Sequence, residues 1–323
     1  MAEKKKILFM APSFMGYEKE IINELSKSYN VLYYNSEDVL KTVRHHYNSL
    51  SIICKAILKF FNPIRDRYRD RKISLHEETK GSLSFISNEK FDYVFVINGD
   101  GVSDLTYKMI RAKNPNAVFI LYIWDDYKNL FKHEHICYFD IIFSYNILDC
   151  KKYKFSFLSM FTQGKIQVEN IQHKEYDIAI IATATQERIQ LISKILKKYK
   201  NQYKIFIYLF SNTGGFSLET HDKALSFSEY IEYLSLSKCA LEIQRNNQTG
   251  PTTRANDCKF THTKIITTNP CKENYGNHLE NILFLDHSFE IPERFINSPY
   301  CLNGENGYNV SDWLNIILNE QSE

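Results

Sequence analysis

The run Gln244–Asp257 carries the densest ligand-binding chemistry in the chain. It follows a short apolar stretch, Ala240–Ile243, and reads Gln-Arg-Asn-Asn-Gln-Thr-Gly-Pro-Thr-Thr-Arg-Ala-Asn-Asp. Gly250 permits a turn, and Pro251 suits the first position of a helix, where its missing N–H costs nothing. The Thr hydroxyls can bond the first amides. Free amides at such a helix start favour a phosphate. Arg254 and Asp257, three residues apart, would share a helix face, the guanidinium suited to phosphate and the carboxylate to ribose hydroxyls. The same residues also describe a plain helix cap with one local ion pair, and both readings stand at this point.

Such a segment needs a scaffold that presents it at a sheet edge. Apolar runs rich in Ile, Val, Phe and Tyr recur at Ile7–Ala11, Val31–Tyr34, Tyr93–Ile97, Val118–Ile123 and Ile141–Tyr145. They recur again at Ile178–Ala182, Ile205–Phe210, Ala240–Ile243, Ile265–Thr268 and Ile282–Leu285. Runs of this kind read as strands buried on both faces, and their alternation with helical spacing predicts parallel α/β sheets. Two sets of five predict two doubly wound, Rossmann-like domains. The first is expected over residues 1–165 and the second over 175–305, with a closing helix over 306–323 and a boundary in the polar stretch 162–175. Helices are clearest at Glu187–Tyr199, Phe227–Ser237 and Val310–Leu318, the last either closing the second domain or crossing back to the first. In open parallel sheets ligands sit beyond the carboxyl ends of the strands, so the loops that follow strands are the ones to search.

Composition narrows the classes. The 323 residues hold 40 Lys and Arg against 38 Asp and Glu, a formal net charge of +2, and 44% are hydrophobic. That excludes a disordered chain, a collagen-like chain and a strongly basic nucleic-acid coat; no nucleic-acid partner is expected. Gly numbers only 11 against 22 each of Tyr and Phe, which disfavours Gly-rich phosphate loops. The seven cysteines include no Cys-x-x-Cys pair, and neither a His cluster nor an Asp-x-Asp loop offers ligand spacing, so no metal is expected. No apolar stretch reaches about 18 residues, and the N-terminal run is too short for a signal peptide, which predicts a cytoplasmic protein, at most peripheral to the inner face of a membrane. One segment departs from neutrality: residues 41–72 carry nine Lys and Arg against Asp66 and Asp70, interleaved with Ile52, Ile53, Ile57, Phe60 and Phe61. This basic, amphipathic insertion suits an anionic surface, or is simply a solvated helical excursion.

The run Ala240–Asn269, with Gln248-Thr-Gly-Pro-Thr-Thr-Arg254, an acid three residues on, and Lys264-Ile-Ile-Thr-Thr-Asn269, resembles the nucleotide-binding segment of GT-B glycosyltransferases. It is most similar to bacterial lipopolysaccharide and capsule biosynthesis proteins, whose pattern is Gln-x-Gly-Leu-Thr-x-Arg-x-x-Glu followed by Lys-Lys-x-Ile-Thr-Thr-Asn. Tyr122–Asp126, Phe139–Tyr145 and Asp149 resemble the end of that group's first domain. Tyr176–Thr185 with Glu187 and Arg188 resembles the first strand and diphosphate loop of its second. The resemblance spans roughly residues 90–320. Asp257 stands where the pattern has Glu, and His262 where it has a small Gly. The Glu-x7-Glu pair of one retaining class is missing, since Thr249 lies eight before Asp257.

The resemblance implies that the two domains face a cleft as the lobes of a metal-independent transferase, one that uses a nucleotide-sugar, UDP-linked by expectation, and a surface-glycan or glycolipid acceptor. It implies that Arg188, Arg254 and Lys264 neutralise the diphosphate, that Thr183, Thr185, Thr249 and Thr252 supply hydroxyls, and that Gln248, Gly250 and Asp257 complete the donor site. An inverting reaction needs a general base from the first lobe. Asp100, in Asn98–Gly101, and Asp125 or Asp126, after Val118–Ile123, follow strands and are the candidates. Asp100 lies between two glycines that would let a ligand approach the backbone. Phe14, Gly16 and Tyr17, after the first strand, are expected at the acceptor site. A GT-B-shaped nucleotide-sugar epimerase would bind the same donor without needing an acceptor groove. A non-catalytic nucleotide- or sugar-binding protein is the alternative from another class.

Overall fold

All ten apolar runs form strands. The computed structural model describes residues 4–80, 86, 89–130, 133–163, 173–245, 248–277, 279–302 and 307–319. The chain divides into two units, Met1–Leu158 together with Val310–Glu323, and Ser159–Asn309. The division at Leu158/Ser159 precedes the polar stretch expected to mark it, most of which, residues 164–172, lies outside the described residues.

The first unit runs β1 (Lys6–Ala11), α1 (Tyr17–Ser28), β2 (Asn30–Asn35), α2 (Glu37–Asn48), α3 (Ile52–Phe60), α4 (Asn62–Lys80), β3 (Tyr93–Ile97) and α5 (Asp104–Lys113). It continues through β4 (Val118–Ile123), β5 (Ile141–Ser144), α6 (Ile147–Tyr153) and β6 (Ser156–Phe157). Its sheet has the order β2-β1-β3-β4-β5-β6, every neighbouring pair parallel. The chain starts in the interior, steps outward to β2, then reverses across β1 to β3. That reversal opens a crevice at the carboxyl ends of β1 and β3, because the following connections leave on opposite faces. The central strands are apolar throughout because both faces are covered: Ile7–Ala11, Tyr93–Ile97 and Phe119–Ile123 are all buried. The basic insertion folds as the helices α2, α3 and α4.

The second unit runs β7 (Phe161–Thr162), β8 (Tyr176–Thr183), α7 (Gln186–Tyr199), β9 (Ile205–Phe210), α8 (Phe227–Ser235) and β10 (Ser237–Glu242). It continues through α9 (Arg254–Phe260), β11 (Lys264–Thr267), β12 (Ile282–Phe284), α10 (Glu293–Asn297) and β13 (Tyr308–Asn309). Its main sheet has the order β12-β11-β10-β8-β9, again all parallel, so the winding of the first unit is repeated and the switch falls between β8 and β10. Ile189, Ile192 and Ile195 of α7, spaced to share a helix face, pack with Ile178 and Ile180 of β8 in one buried cluster. The short pair β7–β13 is tied to α9 through Asn256, whose Nδ2 donates to Thr162 Oγ1 at 2.6 Å and whose Oδ1 accepts from Tyr308 N at 3.0 Å.

The last helix, α11 (Val310–Asn319), crosses back to the first unit, packing against α1. Its apolar face, Trp313, Leu314, Ile317 and Leu318, is buried, and the indole of Trp313 meets Tyr122 edge-on at 4.7 Å and Phe95 at 5.9 Å. No helix among the described residues is long and apolar enough to cross a membrane.

Candidate functional site

The pairing of β8 with β10 stops at Ala179 and Ala240, where the two strands begin to diverge toward the switch crevice. The carbonyls released there are taken by two arginines in succession. Arg254 donates from Nη1 to Leu241 O at 2.7 Å and from Nη2 to Ile181 O. Arg188 donates from Nη1 to Thr183 O at 3.1 Å and from Nη2 to Ile243 O at 3.3 Å. Each guanidinium spans the gap, so the two form rungs between separating strands, and the planar fork of arginine is the side chain that fits. Burial, with the positive charges of Arg245 and Arg254 nearby, pushes the Arg188 guanidinium below its usual value. Arg245 itself is exposed. Three like charges gathered at a crevice, one strained by the other two, make a site that an anion stabilises.

Thr183, Thr185 and Arg188 are brought together here. Thr183 and Thr185 are exposed at the end of β8, and Thr185 caps α7, its hydroxyl accepting from Arg188 N at 3.3 Å. The start of α7, a helix of 14 residues, therefore opens beside the arginines and adds the positive end of its dipole.

Arg254 itself takes a different part from the one expected. Its guanidinium is held by strand carbonyls and lies 5.8 Å from the Tyr230 ring, so it braces the crevice from beneath. The helix start at Gly250–Thr253 is also differently employed. Thr252 donates both N–H (2.8 Å) and Oγ1 (2.7 Å) to Glu242 Oε1, so the anion that this turn attracts is internal. Glu242, wholly buried at the end of β10, also accepts on Oε2 from Thr267 Oγ1 at 2.8 Å and from Tyr275 OH. Thr252 is thus occupied by Glu242 instead of a ligand.

Glu242 was not among the residues the sequence singled out, although a carboxylate inside an apolar strand demands partners and was the available signal. The rest of the loop is bolted to the end of β11. Thr249 O accepts from Asn269 Nδ2 at 2.8 Å and Asn274 Nδ2 at 2.9 Å, Gly250 O accepts from Gln244 Nε2, and Gln248 N donates to Arg245 O at 3.0 Å. Thr249 and Gln248 remain half-buried at the crevice rim, while Gly250 is buried.

Two expected donor contacts are corrected. Asp257 is 1% exposed in α9, accepts from Tyr230 OH at 3.2 Å and bonds Thr162, and so has no surface to offer a ribose. Burial, outweighing those hydrogen bonds, pushes its carboxyl up to about 7. Lys264 opens β11, at the end of the sheet opposite the crevice. Its ammonium donates to Ile296 O at 3.2 Å and to the carbonyls of Phe295 and Ser298, holding the last turn of α10. A cation there complements the helix dipole and cannot reach a diphosphate at the carboxyl edge.

In the first unit the loops after β1, β3 and β4 converge. Asn98, at φ 57°, bridges two of them: its Nδ2 donates to Asp125 Oδ2 at 3.1 Å and its Oδ1 accepts from Trp124 N at 3.0 Å. Asp125 is exposed, and Trp124 lies within ring contact of Phe14 (5.8 Å) and Tyr17 (6.4 Å). Gly16, at φ 85°, precedes the first turn of α1, and buried Glu18 accepts from Ser13 Oγ and Phe14 N to hold this loop. Phe14, Gly16, Tyr17 and Asp125 are therefore gathered at one edge, with the Tyr17 ring buried and Phe14 and Asp125 exposed.

Asp100 is half-buried and within electrostatic reach of Arg69. The glycines flanking it serve packing: a Cβ at Gly99 would meet the His135 ring at 2.6 Å, and one at Gly101 would meet Ser36 Cβ at 2.5 Å. The space expected for a ligand is filled by protein. Asp126 is withdrawn as a base, because it is buried and holds Tyr145 OH and Asn146 Nδ2 at 2.9 Å each, with Lys128 at 3.6 Å. Among the described residues no three His, Cys, Asp or Glu side chains gather as metal ligands would.

No protein-family model matches the chain, and no curated protein matches it in sequence. Solved structures do. The chain is similar to the glycotransferase of kitacinnamycin, at 10% identity over 92% of each chain with a TM-score of 0.48. It is similar to the Streptomyces sp. SF2575 glycosyltransferase SsfS6, solved with thymidine diphosphate, at 10% identity over 84% of this chain and 83% of that one with a TM-score of 0.47. It is also similar to a UDP-N-acetylglucosamine 2-epimerase, at 9% identity over 87% of this chain and 83% of that one with a TM-score of 0.42. At scores below 0.5 these likenesses leave the fold resting on the two sheet orders themselves: two doubly wound, parallel α/β units of one winding.

Proposed function

We propose that the chain is a glycosyltransferase that takes a sugar from a nucleotide donor bound at the switch crevice of the second unit. The observation that supports this reading is the cluster of Arg188, Arg245 and Arg254 at the carboxyl ends of β8 and β10, beside the capped start of α7. A diphosphate is the ligand whose charge matches that cluster. When the glycosidic bond breaks, negative charge grows on the leaving diphosphate, and Arg188, already fixed by strand carbonyls, stabilises it without reorganising. Arg188 and Arg245, with Thr183 and Thr185, are assigned to the diphosphate, while Arg254 and Glu242 hold the crevice in shape. No resident metal is required in this scheme.

The acceptor belongs to the loops of the first unit, with the exposed Phe14 ring and the half-buried Trp124 ring suited to stacking on a sugar and the buried Tyr17 ring behind them. Asp125, exposed and oriented by Asn98 at 3.1 Å, is the preferred base to deprotonate the acceptor hydroxyl, and Asp100 is the second candidate. A surface glycan of the lipopolysaccharide or capsule type, free or lipid-linked, is the proposed acceptor.

Thermal shift and calorimetry with UDP, thymidine diphosphate, GDP and ADP test the donor site. Arg245→Ala is the informative variant, because Arg245 is exposed and outside the two rungs. At least one nucleoside diphosphate should stabilise the wild type, and Arg245→Ala should weaken it about tenfold, the worth of one charge-assisted contact. Stabilisation by none of the four would remove the assignment. Loss of transfer with retained donor binding in Asp125→Asn would identify the base. A product epimerised on the donor, with no acceptor consumed, would favour the epimerase reading.

A further inference from the structure

The helix α3 hides one large apolar side chain and shows the rest. Leu58 is buried, whereas Ile52, Ile53 and Phe60 are 85%, 74% and 81% exposed, and Ile57 is close to half exposed. At about 100° per residue, Ile52, Ala56, Phe60, Ile53 and Ile57 fall in one stripe about 140° wide, with Leu58 on the opposite side. Phe61, which caps α3 before α4 begins, and Ile64, in the first turn of α4, are also each more than half exposed. Of the thirteen large apolar side chains exposed among the described residues, six lie between Ile52 and Ile64. This is concentration on one helical hairpin, unlike the single exposed apolar residues scattered over any surface.

Charge identifies what covers it. The segment 41–72 carries nine Lys and Arg against two acids. Lys41 and Arg44 are exposed on α2 and Arg67 and Arg71 on α4, the helices before and after α3, and His45 and His46 are exposed at the end of α2. Two copies meeting through this face would oppose like charges, and an ordinary acidic protein surface would leave the isoleucines and phenylalanines in water. An exposed apolar stripe carried by a strongly basic segment matches a surface that has acyl chains beneath anionic head groups.

We infer that α3 and the first turn of α4 form a docking surface for an anionic lipid bilayer, with Ile52, Ile53, Ile57, Phe60, Phe61 and Ile64 entering the interface and the surrounding Lys and Arg resting on the head groups. The inference is independent of the donor site, since it requires no substrate. It places the chain at the surface where a lipid-linked acceptor would be presented.

Sedimentation of the full chain with vesicles of phosphatidylcholine, alone or mixed with phosphatidylglycerol, is the test. Binding should require phosphatidylglycerol and weaken with salt, as screening dictates. Ile53→Ser with Phe60→Ser should reduce binding at least tenfold, with an unchanged melting temperature because both side chains are exposed. Arg44→Glu with Arg67→Glu should abolish the preference for phosphatidylglycerol by the charge route alone. Phe60→Trp should gain emission that is quenched by brominated acyl chains. Binding to neither vesicle, binding unaffected by Ile53→Ser with Phe60→Ser, or a dimer in sedimentation velocity that this pair dissolves while vesicles stay unbound would each overturn it.

Discussion

Replacing Glu242 examines the crevice from its buried side. In Glu242→Ala the four hydrogen bonds to the carboxylate disappear together. Thr267 Oγ1 and Tyr275 OH lie 3.2 Å apart and can bond each other, which recovers part of the loss. Thr252 N–H and Oγ1 are left without that outlet. Two stranded donors at about 1–3 kcal/mol each, with a cavity the size of one methylene and a carboxyl group, put the cost at about 3–5 kcal/mol. Glu242→Gln keeps Oε1 for Thr252 and turns an amide toward two hydroxyls that can accept, so only the charge assistance is lost, about 1–2 kcal/mol.

Urea unfolding of both variants gives the first quantity, and hydrogen exchange over residues 248–257 gives the second. Protection at Thr252 should collapse in Glu242→Ala and persist in Glu242→Gln. Nucleoside diphosphate affinity should follow the same order, since the loop that Glu242 anchors forms one wall of the crevice. A Glu242→Ala protein as stable as the wild type, with Thr252 still protected, would refute the assignment of Glu242 as the anchor.

Two other substitutions separate structural from ligand-binding roles. An aspartate in the unfolded chain titrates near 3.8, whereas burial holds Asp257 to about 7. Between these values the folded state keeps a proton that the unfolded state has lost, so this residue's contribution to stability falls as pH rises from about 4 to 7. Asp257→Asn should therefore gain on the wild type at pH 8 by on the order of 2 kcal/mol or more, draw level near pH 4, and leave nucleotide affinity unchanged; urea midpoints across pH measure it. Lys264→Met strands the carbonyls of Phe295, Ile296 and Ser298 and should cost about 2–4 kcal/mol, again with nucleotide affinity unchanged, which calorimetry on the folded variant reads directly.

The strands were legible because burial on both faces demands unbroken Ile, Val and Phe, and such runs have few other uses in a chain of this kind. The loops at the strand ends were legible for the same reason, since parallel winding fixes which end opens. What individual polar residues do in those loops was not. Asp125 and Asp126 are adjacent and chemically identical, and only the turn after β4 decides that one faces outward while the other holds Tyr145 and Asn146. Arg254 and Arg188 look like ligand arginines in one dimension, yet their first partners are strand carbonyls that only a diverging sheet exposes. Lys264 and Glu242 share a lesson: a charge embedded in a strand-like run is more informative about internal partners than about ligands.

The crossing of α11 back to the first unit makes that unit discontinuous, with the whole of Ser159–Asn309 inserted before its last helix. On a ribosome, the sheet β2-β1-β3-β4-β5-β6 emerges early but lacks the indole that fills the space beside Phe95 and Tyr122. The second unit, contiguous in sequence, can close on its own contacts first, so maturation is out of order: the earlier-synthesised half is the later to finish. Until Trp313 arrives, the half-built sheet keeps an apolar face open to chaperones, and a ribosome that stops short of it releases a chain whose second unit can fold and whose first cannot be sealed.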